Sequence, residues 1–323
     1  MKNEVVYQKV TDKIIEMLKG GKIPWHKSWT GFAPMNLISK KAYRGVNHIL
    51  LAFMEYANPY WLTYGQARDE AVRQAKLQGR NIEQRNRKRG KGIYYWDVDN
   101  DCVFEGGVKK GEKGTMIIFW KMLKISTKEP NPNTNTTKSD KIPLLRYYTV
   151  FNGEQCSGIQ YPSTDFPDNS PIERCEGVVD GYEDCPEIRG SMDRCFYHPM
   201  EDFIGIPSIK QFSTSEDYYS VLFHELTHST GHASRLNREG VIGGHYYKST
   251  EYSKEELVAE LGASFLCSIA GIDNQASILK NSAGYLQGWL KALEEDNTLI
   301  VRASSKAQQA VDYIVGENKE EVK

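Results

Sequence analysis

What the 323-residue sequence lacks narrows its class before any motif is read. No apolar run approaches the ~18 residues needed to span a bilayer, so no membrane partner is expected. The opening stretch MKNEVVYQKVTDKIIEML sets acidic residues among its apolar ones. It offers no uninterrupted apolar core and no small-residue cleavage site, so the expectation is a cytoplasmic rather than a secreted protein. Cysteines are few: six, at 102, 156, 175, 185, 195 and 267, none of them in a CxxC pair. Reduced thiols are expected, with a redox or structural-metal role for Cys175, Cys185 and Cys195 as the lesser alternative. No internal repeat is visible. Helix-turn-helix, zinc-finger and basic-zipper signatures are missing too, which disfavours double-stranded DNA as a ligand.

What is present is divided by charge. The net charge of −1 hides 27 basic and 14 acidic residues in 1–150, a balance of +13, and 14 basic and 28 acidic residues in 151–323, a balance of −14. A basic half points to a polyanion. It also carries aromatics interleaved with cations, as single-stranded nucleic-acid binders do. Trp25, Lys27 and Trp29 form one cluster, Tyr43, Arg44 and Asn47 a second, and the turn lysines Lys109, Lys110 and Lys113 a third. A fourth, Arg85–Lys91, runs into Tyr94-Tyr95-Trp96. Apolar spacing predicts a helix over 3–20 that stops at Gly20-Gly21, two helices within 40–70, a weakly ordered basic stretch after Arg73, and a hairpin over 93–107. The segment STKEPNPNTNTTKSDK, 126–141, reads as a flexible loop.

The second half holds the sharpest signal, YYSVLFHELTHSTGH at 218–232. Ser213–Glu216 is a helix N-terminus signature. On a helix, His224 and His228 share one face and can grip one ion, with Glu225 beside them to take a proton from water. Imidazole with carboxylate suits Zn²⁺, with Mn²⁺ as the other candidate. The metzincin pattern fails, because its last histidine position is Ser234; His232 falls two residues early and reads as local packing. Downstream, SKEELVAELGASFLCSIAG at 253–271 predicts a second helix, with Gly262, Ala263 and Ser264 permitting close packing. The run ELVAELGASFL resembles the ligand helix of gluzincins. That resemblance implies Glu256 as third ligand and Glu260 as the acid orienting a histidine. A Ser253 capping box is the bland alternative for Glu256. Candidates for an oxyanion donor are His245, Tyr246, Tyr247 and Tyr252, among which the sequence does not choose.

Together the motifs VYQKVTDKIIEMLKGGKIPWHKSW, NLISKKAYRGVNHILLA, WLTYGQA, GVKKGEKGTMIIFWK, YYTVFNGEQCSGI, YYSVLFHELTHSTGHASRLNR and YSKEELVAELGASFL resemble the ArdC-type antirestriction proteins of conjugative plasmids and related mobile elements. The chain departs from that pattern at about 66–106, where the family is shorter. The resemblance implies an α+β protein of two domains. An N-terminal α+β domain over 1–155 would bind single-stranded DNA, and a mainly helical, zincin-like domain over 156–323 would be a zinc-dependent metallopeptidase. Protection of incoming DNA from host restriction is the implied role. The sequence does not name a protein substrate: a host restriction subunit, a DNA-bound host protein and self-cleavage are all open. The rival expectation is a non-catalytic protector in which the metal only fixes the fold.

Overall fold

The computed structural model describes residues 3–20, 33–52, 54, 56–86, 93–126, 139–163, 171–191, 194–242, 250–272 and 282–316. The chain divides into two compact units, Met1–Val10 with Trp61–Gln160, and Thr11–Tyr60 with Tyr161–Lys323. The expected boundary at 155/156 therefore lies close to where the chain leaves the first unit, but Thr11–Tyr60 groups with the second. The reason is local to the second unit. There the Gly45 N–H donates to the Gln308 side chain at 3.0 Å and Arg44 pairs with Asp312. Helix α1 (Asn3–Lys19) is shared between the units.

After α1 the chain forms β1 (Met35–Asn36), α2 (Val46–Ala52), β2 (Tyr60–Thr63) and α3 (Tyr64–Leu77). Where the sequence suggested a short helix at Trp61, a strand runs directly into a fourteen-residue helix. Thr63 closes the strand and caps the helix: its hydroxyl accepts from the Gln66 N–H, and the Gln66 side chain accepts from the Thr63 N–H. The buried face of α3 is Ala67, Ala71, Val72 and Ala75, small residues that leave little apolar periodicity to read. The stretch expected to be weakly ordered, 73–92, instead completes α3 and forms β3 (Ile82–Asn86); the hairpin expected over 93–107 follows as β4 (Ile93–Asp97) and β5 (Cys102–Val103), and the three strands make an antiparallel sheet. Val72, Ala75 and Ile82 are buried there against Tyr95 and Phe104. The insertion thus has a core of its own. Residues 87–92 lie outside the described ones.

The chain goes on through β6 (Gly107–Val108), β7 (Thr115–Ser126), β8 (Ser139–Asn152) and β9 (Cys156–Ser157). β8 pairs antiparallel with β7 along twelve positions and with β2 at its far end. Of the expected flexible loop 126–141, Ser126 and Ser139–Lys141 belong to this hairpin, and 127–138 lie outside the described residues.

In the second unit, α4 (Pro171–Asp180) precedes β10 (Glu187–Gly190), β11 (Phe196–His198) and β12 (Phe203–Ile206). These make a sheet of order β10-β12-β11, with β10 parallel and β11 antiparallel to the central strand. The remaining helices are α5 (Ser215–Ser229), α6 (Glu239–Ile242), α7 (Thr250–Ala270), α8 (Ser282–Glu295) and α9 (Leu299–Val315). From Leu257 to Leu266 the buried residues run nearly unbroken along α7, as in a helix packed on all sides. α9 instead shows a stripe, Ile300, Ala303, Ala307, Ala310, Val311 and Ile314, and ends at Gly316 in the left-handed conformation, φ 77°. Among the described residues no helix is long and apolar enough to cross a membrane, and all six cysteines are free thiols.

Candidate metal centre

Thr214 starts α5 by accepting the Asp217 N–H at 3.1 Å. The helix then carries His224 and His228 one turn apart, their rings at an interplanar angle of 78°. Across from them runs α7. It already begins at Thr250, so Ser253 lies inside its first turn rather than at the position before it. At Gly262 an added Cβ would stand 2.4 Å from Thr227 Cγ2, so the two helices approach where only glycine fits.

The approach brings three donors together. His224 Nε2 and His228 Nε2 are 3.1 Å apart, and Glu256 reaches them with Oε2 and Oε1 at 3.6 and 3.5 Å. A tetrahedral ion bound at about 2.0–2.1 Å holds its ligand atoms roughly 3.4 Å apart, so these spacings suit one divalent ion. His224, His228 and Glu256 are the one such group among the described residues. The outer ring nitrogens are backed by carboxylates: His224 Nδ1 faces Glu260 at 3.6 Å and His228 Nδ1 faces Glu255 at 3.5 Å. That arrangement directs both Nε2 atoms inward. Glu260, expected to orient a histidine, is thus placed beside His224.

Glu255 was missed by sequence reading, as was its partner. Buried Arg238 grips Glu255 with Nε and Nη2, donates from Nη1 to Thr230 Oγ1 at 2.6 Å, and from Nη2 to the Thr227 carbonyl at 2.7 Å. Its neighbour Arg235 pairs with Asp202, donates to the Tyr197 hydroxyl and to the Ser229 carbonyl, and so ties the end of α5 to β11. Only the repeated arginine in SRLNR, 234–238, marks this pair in the sequence.

The electrostatics follow from burial and these neighbours. Burial disfavours a charged His228 ring, but contacts with Glu255 and Glu256 outweigh it and push its pKa up to about 10. Burial likewise favours the neutral form of Glu256, yet the two imidazoles hold it far below the usual carboxylate range. A site that so favours positive charge between its donors also favours a dication. Glu225 behaves differently. Burial raises its pKa against the pull of both histidines and a backbone hydrogen bond from Tyr197 in β11.

Other expected site residues have separate fates. His232 bonds Ser234 through Nδ1 at 2.8 Å, a local contact. His245, Tyr246 and Tyr247 lie outside the described residues, as does the side chain of Tyr252. Trp25, Lys27 and Trp29 also lie outside them. Tyr43 and Asn47 are half-buried, and Arg44 is engaged with Asp312. The other cluster belongs to the first unit: Lys109 donates to the Glu154 carbonyl at 2.8 Å, and Lys110 and Lys113 are exposed. Arg85 lies over the Trp96 ring at 4.7 Å.

Comparison with known proteins matches these two halves separately. Residues 4–151 match the N-terminal domain of the anti-restriction factor ArdC, and residues 183–306 match a zincin-like metallopeptidase domain. A DNA primase TraC of Escherichia coli is 31% identical over 96% of this chain, which spans only 27% of that relative's length. The uncharacterized protein y4eC of Sinorhizobium fredii is 29% identical, with 96% of this chain and 91% of that one covered. The metal-free crystal structure of the antirestriction protein ArdC from plasmid R388 superposes with a TM-score of 0.69 at 30% identity, covering 95% of this chain and 96% of the other. Its Mn(II)-bound structure gives a TM-score of 0.67, covering 98% and 99%. With both halves and nearly the full length matched, the chain belongs to the ArdC antirestriction family.

Proposed function

We propose that this protein binds single-stranded DNA through its basic first half, covering it against restriction, and carries in its second half a divalent-metal site for peptide hydrolysis. Zn²⁺ is the resident ion favoured by the imidazole–carboxylate set, and the Mn(II) form of the R388 relative makes Mn²⁺ the other candidate. The observation that carries the reading is the convergence of His224, His228 and Glu256 with buried Glu225 alongside. A dication held there supplies Lewis acidity to a peptide carbonyl and to water.

The chain's own groups do the rest. Glu225 takes the proton of the attacking water and returns it to the departing amine, and its raised pKa brings it nearer the operating pH. Among the described residues β11 pairs with β12 alone, and its Tyr197 backbone bonds Glu225. An extended peptide can therefore add to the open edge of β11 next to the metal ligands.

The second reading is a DNA-binding protector whose metal only stabilises the fold. The Arg238–Glu255–His228 chain favours it, since it locks α5, α7 and the loop after α5 together around the same site. Glu225→Gln separates the two. Metal content, cleavage of DNA-bound proteins and protection from restriction are measured side by side. The expected result is full metal, no cleavage, and protection retained, because a protein covering single strands acts without turnover. A metal-loaded variant that has lost protection would make hydrolysis the mechanism of protection. A wild-type protein that cleaves nothing leaves the structural reading.

A further inference from the structure

Directly opposed residues of an antiparallel pair project to one face of the sheet, and successive residues alternate between faces. The β7–β8 register therefore sorts its residues into two sets. One face carries Ile118 with Tyr147 and Trp120 with Leu145; the other carries Ile117 with Tyr148 and Phe119 with Arg146.

The two faces have different environments. On the first, Ile118 and Leu145 are 5% and 1% exposed, and Trp120, 43% exposed, has Tyr7 of α1 against its ring. The N-terminal turns of α1 lie against it: Asn3 Oδ1 accepts the Leu145 N–H at 3.2 Å, Lys9 Nζ stands 4.5 Å from the Tyr147 ring centroid, and Tyr7 meets Trp120 at 6.2 Å. On the second face, Phe119 is 53% and Tyr148 44% exposed, and Arg146 is exposed as well. The rings meet edge to face, centroids 6.3 Å apart at 71°. That geometry leaves each ring at least one face on which a planar group can stack.

We propose that this outer face of the β7–β8 hairpin is the platform on which single-stranded nucleic acid stacks, with Phe119 and Tyr148 taking bases and Arg146 a phosphate. The inference rests on the single-strand reading above and gives it a surface. Three observations select that ligand. Two exposed rings ask for a partner with a π-face, and in a duplex those faces are already stacked on neighbouring bases. The guanidinium directly across from Phe119 supplies the anion site, and none of the four residues on the patch is acidic. The surrounding segment, 1–150, carries a balance of +13, the sign that draws a polyanion. Strand pairing by itself gives little reason for the rings: a cross-strand aromatic pair stabilises a hairpin by about 0.2–1 kcal/mol, whereas a base stacked on one ring is worth about 1–3 kcal/mol. None of these residues was singled out by charge clustering, because Arg146 stands alone in the sequence and the aromatics come from two strands.

The test uses the full chain and a fluorescein-labelled oligo-dT, read by anisotropy, with a matching duplex as control. Phe119→Leu, Tyr148→Leu and their double variant keep apolar bulk in exposed strand positions; far-UV spectra and melting confirm folding. Each single change is expected to weaken oligo-dT binding about 5-fold or more, and the double change about 25-fold or more. Arg146→Gln should lower the slope of log affinity against log salt by about one, which the ring variants leave unchanged. Independently of any variant, photo-crosslinking of bromodeoxyuridine oligonucleotides to the wild type should map to Phe119 or Tyr148. If the wild type binds oligo-dT and the double variant binds it equally, the platform is elsewhere and the single-strand reading stands. If the wild type binds oligo-dT no better than duplex, the single-strand reading itself fails. A double variant that keeps DNA affinity but changes sedimentation would reassign the face to contact between protein copies.

Discussion

Arg238 and Glu255 form a fully enclosed ion pair, Nη2 2.7 Å from Oε1, with each side chain only 6% exposed. Glu255 in turn faces the outer nitrogen of His228, so one metal ligand is held through two buried charges. Burial alone would raise the Glu255 pKa; His228 and Arg238 outweigh it and hold the carboxylate ionised. Arg238→Met would leave that carboxylate buried with only His228 facing it. The expected loss is about 3–5 kcal/mol of stability and about 10–100-fold in metal affinity, read by denaturant unfolding and by competition with a chelating dye. Arg238→Lys restores charge but not the two-pronged grip, and should fall between. A Met variant that binds metal like the wild type would show that Glu255 needs no anchor.

The ligand register is tested one residue at a time. His224→Ala or His228→Ala should abolish stoichiometric metal, and Glu256→Ala should weaken it strongly. Glu260→Ala should cost only about 10–100-fold, because Glu260 faces the outer nitrogen of the His224 ring and is not one of the three converging donors. The reverse order for Glu256 and Glu260 would mean the third donor has been assigned one turn too early.

Gly262 sets the distance between the two helices that supply the donors. Gly262→Ala forces its Cβ against Thr227, at 2.4 Å from Cγ2 and 2.5 Å from Oγ1. Overpacking of this kind costs about 1–3 kcal/mol, and metal affinity should drop with it as α5 and α7 part. Adding Thr227→Ala removes the clash and should recover much of both. No recovery in the double variant would point to a backbone cause instead.

Asp202 provides the pH test. Burial would raise its pKa, but Arg235 and the Tyr197 hydroxyl hold it below the usual carboxylate range. A carboxylate depressed in the folded state stabilises the protein above its unfolded pKa, about 3.9, and that contribution is lost as pH falls through the lower folded value. Asp202→Asn should therefore cost about 1.5–3 kcal/mol at pH 7, with the gap to wild type closing below about pH 4. Equal unfolding midpoints at pH 7 would contradict this.

The candidate metal centre draws on helix spacing, which puts i and i+4 side chains on one face; two such pairs, His224/His228 and Glu256/Glu260, were visible in the sequence. Glu255 was not, since the residue beside a ligand points elsewhere on the helix and its meaning depends on Arg238, seventeen positions away in a loop. Helix α3 escaped notice for another reason: alanines make its buried face, so the apolar contrast that marks an amphipathic helix is faint. The hairpin platform was hidden because cross-strand register, which joins Phe119 to Arg146, is a tertiary fact. Composition saw a basic half but could not sort Arg44, committed to Asp312, from Arg146, open to solvent.

The segment between Thr230 and Arg238 has no slack. Arg235 and Arg238 stand three residues apart and reach opposite ways, one to Asp202 and Tyr197 under β11, the other to Glu255 on α7. Gly231 lies tight against this segment, with an added Cβ already 2.4 Å from Val241 Cγ2 and 3.1 Å from Arg238 Cζ. Loops usually absorb changes in length because their backbone bonds face water; here the Leu236 N–H bonds the Thr230 carbonyl, and the Arg238 N–H the Gly231 carbonyl. A single residue inserted between Arg235 and Arg238 would therefore throw one arginine out of phase and loosen the candidate metal centre. Length, as much as identity, is what the motif SRLNR encodes.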